Sequence, residues 1–174
     1  DLTLTSGATA GITDSATVTV GRNLSATTDD NNGVITLDSL AVDGTITLAT
    51  NDDANDDSAH ATIVNTCSVC SHGLKFAAST VEGNLSATAT TGNITQEGAL
   101  TVRGTTTLVT SAQAATIDLS TITTNAFTGE LLITTNDNNS PADGDYEADV
   151  TIDGGTTNLI IGTSTIDGDL TLLS

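Results

Sequence analysis

The chain has 174 residues, with 22 acidic against three basic, a formal net charge of −19, 2% aromatics and neither Met nor Trp. That length holds one domain, whose core must come from Val, Ile, Leu and Ala. So negative a surface repels phosphates, which excludes nucleic acid and disfavours an anionic membrane surface; no apolar run approaches the ~20 residues of a membrane helix.

Residues 2–20 read as three short alternating segments, LTLT, GITD and ATVTV, and residues 24–42 as LSAT, VITL and LAV. Each is too short for a helix, and Thr and Val favour the pleat because a branched Cβ fits it. A phrase then becomes visible: an apolar residue, one or two small ones, a Gly, and a Leu/Thr-alternating run. It opens at Gly21, Gly44, Gly83, Gly104, Gly129 and Gly168. The clearest unit is 84–104, with segments Leu85–Ala89, Asn93–Gln96 and Ala99–Val102. Counted from Gly21 through Gly44, Gly83, Gly104 and Gly129 to Gly154, of the Gly154–Gly155 pair, successive spacings are 23, 39, 21, 25 and 25 residues, so the unit between Gly44 and Gly83 is oversized. A phrase returning at this period marks a repeat architecture whose units bury their apolar faces against one another.

The expectation is all-β: a single parallel β-solenoid over 1–174, three-faced, of about seven to eight coils. It carries an acidic, cysteine-containing insertion at 50–76 and an acidic loop at 136–149. Leu, Ile and Val should point inward, with Thr, Ser and Asn outward. An immunoglobulin-type sandwich also uses short alternating strands, but its strands do not repeat one phrase at one period.

GNLSATATTGNITQEGALTVRGTTTLVT, residues 83–110, resembles the β-helical repeat regions of large bacterial surface proteins, among them filamentous-haemagglutinin-like adhesins and autotransporter passenger domains. The likeness covers the chain outside 50–76 and 136–149. It is compositional, with no catalytic letters to carry over. It implies a right-handed parallel β-helix, export to the cell surface, and a structural or adhesive role. Two cysteines and two long acidic stretches depart from that pattern.

The chain begins Asp1-LTLTS and ends Asp169-LTLLS, so its last residues restart its first phrase. With no initiator Met, it reads as a processed subunit or a piece of something longer. Open solenoid ends expose unpaired strand edges and promote head-to-tail association, with Leu2, Leu4, Leu170 and Leu172 expected in the junction.

Both cysteines and both histidines fall within His60…Cys67-Ser-Val-Cys70-Ser-His72. A disulfide suits an exported protein, and two thiolates with two imidazoles suit tetrahedral Zn²⁺. Haem attachment needs Cys-x-x-Cys-His, which Ser71 interrupts. Acidic clusters at Asp29–Asp30, at Asp52, Asp53, Asp56 and Asp57, and at Asp137, Asp143 and Asp145 follow the first strand of their units. Stacked on one corner, such carboxylates repel unless cations bridge them, which makes Ca²⁺ a candidate ligand; a solvated acidic loop is the plainer alternative. Thr-x-Thr pairs at Thr3/Thr5, Thr17/Thr19, Thr45/Thr47 and Thr105/Thr107 fit ordinary outward alternation better than an ice-binding array. Asn23, Asn84 and Asn93 head glycosylation sequons. Three basic residues and few aromatics argue against a polysaccharide-active enzyme, leaving a non-enzymatic fibre that self-associates, or an adhesin stalk, as the expected function.

Overall fold

A computed structural model describes residues 1–29, 32–53, 57–70, 72–137 and 147–174. Among them are 19 strands, no helix, and only parallel pairings. In chain order they are β1 (Leu2–Ser6), β2 (Ile12–Thr13), β3 (Val18–Val20), β4 (Leu24–Thr28), β5 (Ile35–Val42), β6 (Ile46–Ala49), β7 (Ala61–Asn65), β8 (Leu74–Phe76) and β9 (Ser79–Val81). Then come β10 (Leu85–Ala89), β11 (Ile94–Gln96), β12 (Leu100–Val102), β13 (Thr106–Thr110), β14 (Ile117–Leu119), β15 (Ala126–Phe127), β16 (Glu130–Thr134), β17 (Val150–Asp153), β18 (Ile160–Ile161) and β19 (Leu170–Leu173). They stack as a β-solenoid of about seven coils, in one sheet of 11 strands and one of 8.

Each half-coil is of one of two kinds. A straight half-coil is one strand of alternating burial, as in β10, where Leu85, Ala87 and Ala89 point in and Ser86 and Thr88 out. A bent half-coil is two short runs around a polar corner, as in β11 and β12. Through the middle of the chain this gives three ladders: β8–β11–β14, β9–β12–β15 and β7–β10–β13–β16. That is the three-faced section expected. The core is a column of in-register residues, such as Leu2 on Leu24 on Ile46 and Leu74 on Ile94 on Ile117 on Val150. The interior is not purely Leu, Ile and Val: Ala26, Ala61, Ala87, Thr28, Thr50 and Thr110 are also buried, because the coil is too narrow for large side chains at every inward position.

The glycine-led phrase does not stay on one face. The runs after Gly21 and Gly44 (β4, β6) lie in the larger sheet, those after Gly83, Gly104 and Gly129 (β10, β13, β16) in the smaller, and that after Gly168 (β19) in the larger again. The cause is the order of half-coils. Straight and bent alternate along the chain, except where two straight strands follow one another, β6 then β7 and β16 then β17. Since the chain changes sheet at each half-coil, each doublet exchanges the two faces. The two acidic stretches connect the strands of these doublets. The expected insertion at 50–76 is therefore too broad: β7 pairs on both edges, with β5 and β10, and β8 continues the ladder below β11.

The chain is also an internal duplication. Seven half-coils in the order straight, bent, straight, bent, straight, straight, bent run from β1 to β9, repeat from β10 to Ile166, and begin again at β19. Three side-chain bonds recur at the two exchange points at an offset of 85 residues. Leu48 and Ile133 donate their N–H groups to Ser79 and Ser164 Oγ, both at 3.0 Å. Glu82 and Asp167 donate to Thr50 and Thr135 Oγ1 at 3.0 and 2.9 Å. Asp52 and Asp137 donate to the carboxylates of Glu82 and Asp167 at 2.8 and 3.2 Å.

Candidate functional site

Cys67 and Cys70 are joined in a disulfide whose Cα atoms lie 5.5 Å apart. It closes a short turn after β7, with Cys67 buried and Val69 fully presented at the tip. Both sulfurs being bonded to each other, the turn offers no thiolate pair to Zn²⁺. The histidines make hydrogen bonds of their own. His60 precedes β7, and its Nδ1 accepts the Asn84 N–H at 2.9 Å. His72 lies before β8 with Nε2 3.3 Å from the Gly44 carbonyl. His60 stands apart at the start of β7, while Cys70 Sγ and His72 Nε2 reach one turn, 3.4 Å from the Val42 carbonyl and 3.3 Å from the Gly44 carbonyl.

His60 has a structural role that its spacing does not announce. At the start of five straight strands, β1, β4, β7, β10 and β17, one side chain accepts the N–H of its counterpart one coil on. Asp1 Oδ1 accepts from Asn23 at 3.1 Å, Asn23 from Thr45 at 2.9 Å, Asn84 from Thr105 at 2.8 Å, and Asp149 from Asp169 at 2.8 Å. His60 fills this corner for β7. Asn93 does the same before a bent half-coil, accepting from Thr116 at 2.9 Å. The three sequon asparagines thus recur because the corner needs an acceptor. The glycine before the corner follows from the same packing. A Cβ on Gly44 would lie 2.3 Å from Asn23 Oδ1, and one on Gly104 2.2 Å from Asn84 Oδ1. Only glycine leaves room for that approach.

The acidic clusters do not share one corner. Asp29 and Asp52–Asp53 follow β4 and β6 in the larger sheet, whereas Asp137 follows β16 in the smaller. The first two are neighbours, as expected: Asn32 Nδ2 donates to Asp53 Oδ1, and Asp53 N–H to Asn32 Oδ1, both at 2.8 Å. The third is displaced because a face exchange, at β6–β7, lies between them. Asp52 Oδ2 accepts the Asp57 N–H at 2.7 Å, and Asp137 Oδ1 accepts Gln113 Nε2 at 2.7 Å. These carboxylates are thus engaged with backbone and amide donors. Asp30, Asp56, Asp143 and Asp145 lie outside the described residues. Among the described residues no three His, Cys, Asp or Glu side chains group as a metal site. Each of the three cations meets an acid: Arg22 with Asp1 at 3.7 Å, Lys75 with Glu97 at 2.8 Å and Arg103 with Asp57 at 3.4 Å. Such surface pairs position the corners more than they stabilise them.

Apart from Val69, the exposed large apolar side chains among the described residues gather on the last coil. Ile160 and Ile161 are 49% and 37% exposed, and Leu170, Leu172 and Leu173 are 43%, 37% and 45% exposed. Leu2 and Leu4, on the first coil, are half-buried against the core. The Thr-x-Thr pairs divide between the two sheets, Thr3/Thr5 and Thr45/Thr47 on the larger and Thr17/Thr19 and Thr105/Thr107 beside the smaller, so they form no single array.

The residues that sequence reading missed are those at the face exchanges. Asn65 is buried; its Oδ1 accepts the Val42 N–H at 2.9 Å, and its Nδ2 donates to the Val42 and Gly73 carbonyls. Asn125 is also buried. It accepts the Leu100 N–H at 2.9 Å and donates to the Asp153 carbonyl at 2.9 Å. A signal was available, since each doublet carries a Thr-Asn-Asp triplet, at 50–52 and 135–137, ahead of its acidic stretch.

Residues 64–134, less than half of the chain, match a family described as repeats of unknown function (DUF5649). No curated protein and no solved structure matches. The stacked ladders and that repeat match agree on a β-helical repeat protein.

Proposed function

We propose that this chain is structural material: a non-catalytic rod of stacked coils, extracellular, that associates end to end into a fibre. The observation that carries the reading is the row of exposed Ile160, Ile161, Leu170, Leu172 and Leu173 along the edge of the last coil. Apolar edge strands with unpaired backbone groups template further strands, and strength then comes from backbone ladders continued across each junction. The partner is the chain itself. The Cys67–Cys70 disulfide supports an oxidising compartment. The likeness of residues 83–110 to bacterial surface β-helices supports the cell surface.

Negative-stain electron microscopy of the purified chain, with and without Ca²⁺, tests this. Filaments are expected, and a Ca²⁺ requirement would give the acidic stretches a bridging role. Isolated short rods in both conditions overturn the fibre. They favour a second reading, the stalk of a large surface adhesin, which the internal duplication also supports because arrays grow by adding such units.

A further inference from the structure

The edge that ends in β19 is the start of a third repeat, and the chain already contains the junction such a start makes. At Gly83–Asn84 the second repeat joins the first: β10 stacks on β7, and β11 and β12 then stack on β8 and β9. At Gly168–Asp169, β19 stacks on β17 in the same way. The corner bonds correspond too, Asn84 N–H to His60 at 2.9 Å and Asp169 N–H to Asp149 at 2.8 Å. Among the described residues no strand lies over Ile160–Ile166.

Each repeat has an odd number of half-coils, so one repeat inverts the faces and two restore them. β19 is thus straight and in the larger sheet, like β1, and β18 with Thr165 is bent and in the smaller, like β2 and β3. Asp169 carries the carboxylate that at Asp1 accepts the Asn23 N–H.

We propose that the face formed by β18, Thr165 and β19 docks a second copy of this chain in one register, with residues 169–174 taking the place of that copy's residues 1–6. The copy's Ile12–Val20 segment then lies on β18, Val20 over Ile166 as Val102 lies over Val81, and its Leu24–Thr28 strand lies on β19, Leu24 over Leu170 as over Leu2. Bent meets bent and straight meets straight, so no further face exchange is needed. This rests on the end-to-end reading and adds its register.

The test is a pair of fusions. In one, Gly168 is followed directly by Asp1 of a second copy; in the other, Ser174 is followed by Asp1, which duplicates the six-residue strand. In the first, amide exchange at Ile160–Thr165 should slow about tenfold or more against the single chain, because these edge amides become interior. Its length should double from about 34 Å to about 67 Å at ~4.8 Å per coil. The second should leave that exchange unchanged. Equal exchange in both fusions overturns the register. Should the first fusion not fold, exchange in the unmodified chain at rising concentration decides: joint slowing at Ile160–Thr165 and Ile12–Val20 supports docking, and unchanged exchange overturns it. A continuous fusion without filaments of separate chains sinks the fibre and keeps the register; filaments with a discontinuous fusion do the reverse.

Discussion

Replacing Asn65 with Ala tests whether single side chains hold the face exchanges. Here the bent β5 lies on the straight β7, and their register slips between Leu37 and Leu40. The slip leaves backbone groups that the ladder does not pair, and Asn65, 1% exposed, supplies the partners. Alanine orphans the Val42 N–H and two carbonyls in a place that water does not reach. At about 1–3 kcal/mol per orphaned buried group, with the carbonyls near the lower end, the loss is about 3–5 kcal/mol. Urea unfolding of the variant beside Thr107→Ala, an outward residue in a regular ladder, measures it. Thr107→Ala should stay within about 0.5 kcal/mol of the parent. Because stability in a solenoid sums over neighbouring coils, faster amide exchange should centre on residues 40–42 and 61–65, with little change at β13. A loss below about 1 kcal/mol, or exchange raised evenly along the rod, would refute the reasoning.

Two further perturbations follow from the coil geometry. Gly104→Ala places a Cβ 2.2 Å from Asn84 Oδ1 and 2.8 Å from the Gly83 carbonyl carbon, so overpacking should cost about 1–3 kcal/mol. Gly21→Ala meets nothing within 4 Å and should be neutral or stabilising by up to about 1 kcal/mol; thermal melts of the two variants should therefore diverge, and equal melts would refute the close-approach account. Reducing the disulfide frees a turn with a sequence separation of only 3, so the fold should survive with a loss of no more than about 2 kcal/mol. Circular dichroism with and without reductant checks this, and collapse of the β signal on reduction would count against it.

Much of the fold is legible in the chain order of residues. The alternation of Leu or Ile with Thr specifies strands by period, and the returning glycine specifies coils, since both are local properties of side-chain direction and backbone room. The segments read at 85–89, 93–96 and 99–102 are β10, β11 and β12 to within a residue. The face on which a strand lies is not local. β4 and β10 carry the same Asn-Leu-Ser-Ala-Thr yet lie in different sheets, because that assignment counts half-coils, and the doublets at β6–β7 and β16–β17 shift the count. The same count separates Asp137 from Asp52. The sequence by itself determined strand, coil and repeat, through periodicity and close approach. Only the stacked structure decided which coils meet, because parallel pairing joins residues 20 or more positions apart and each exchange of faces redirects every pairing after it.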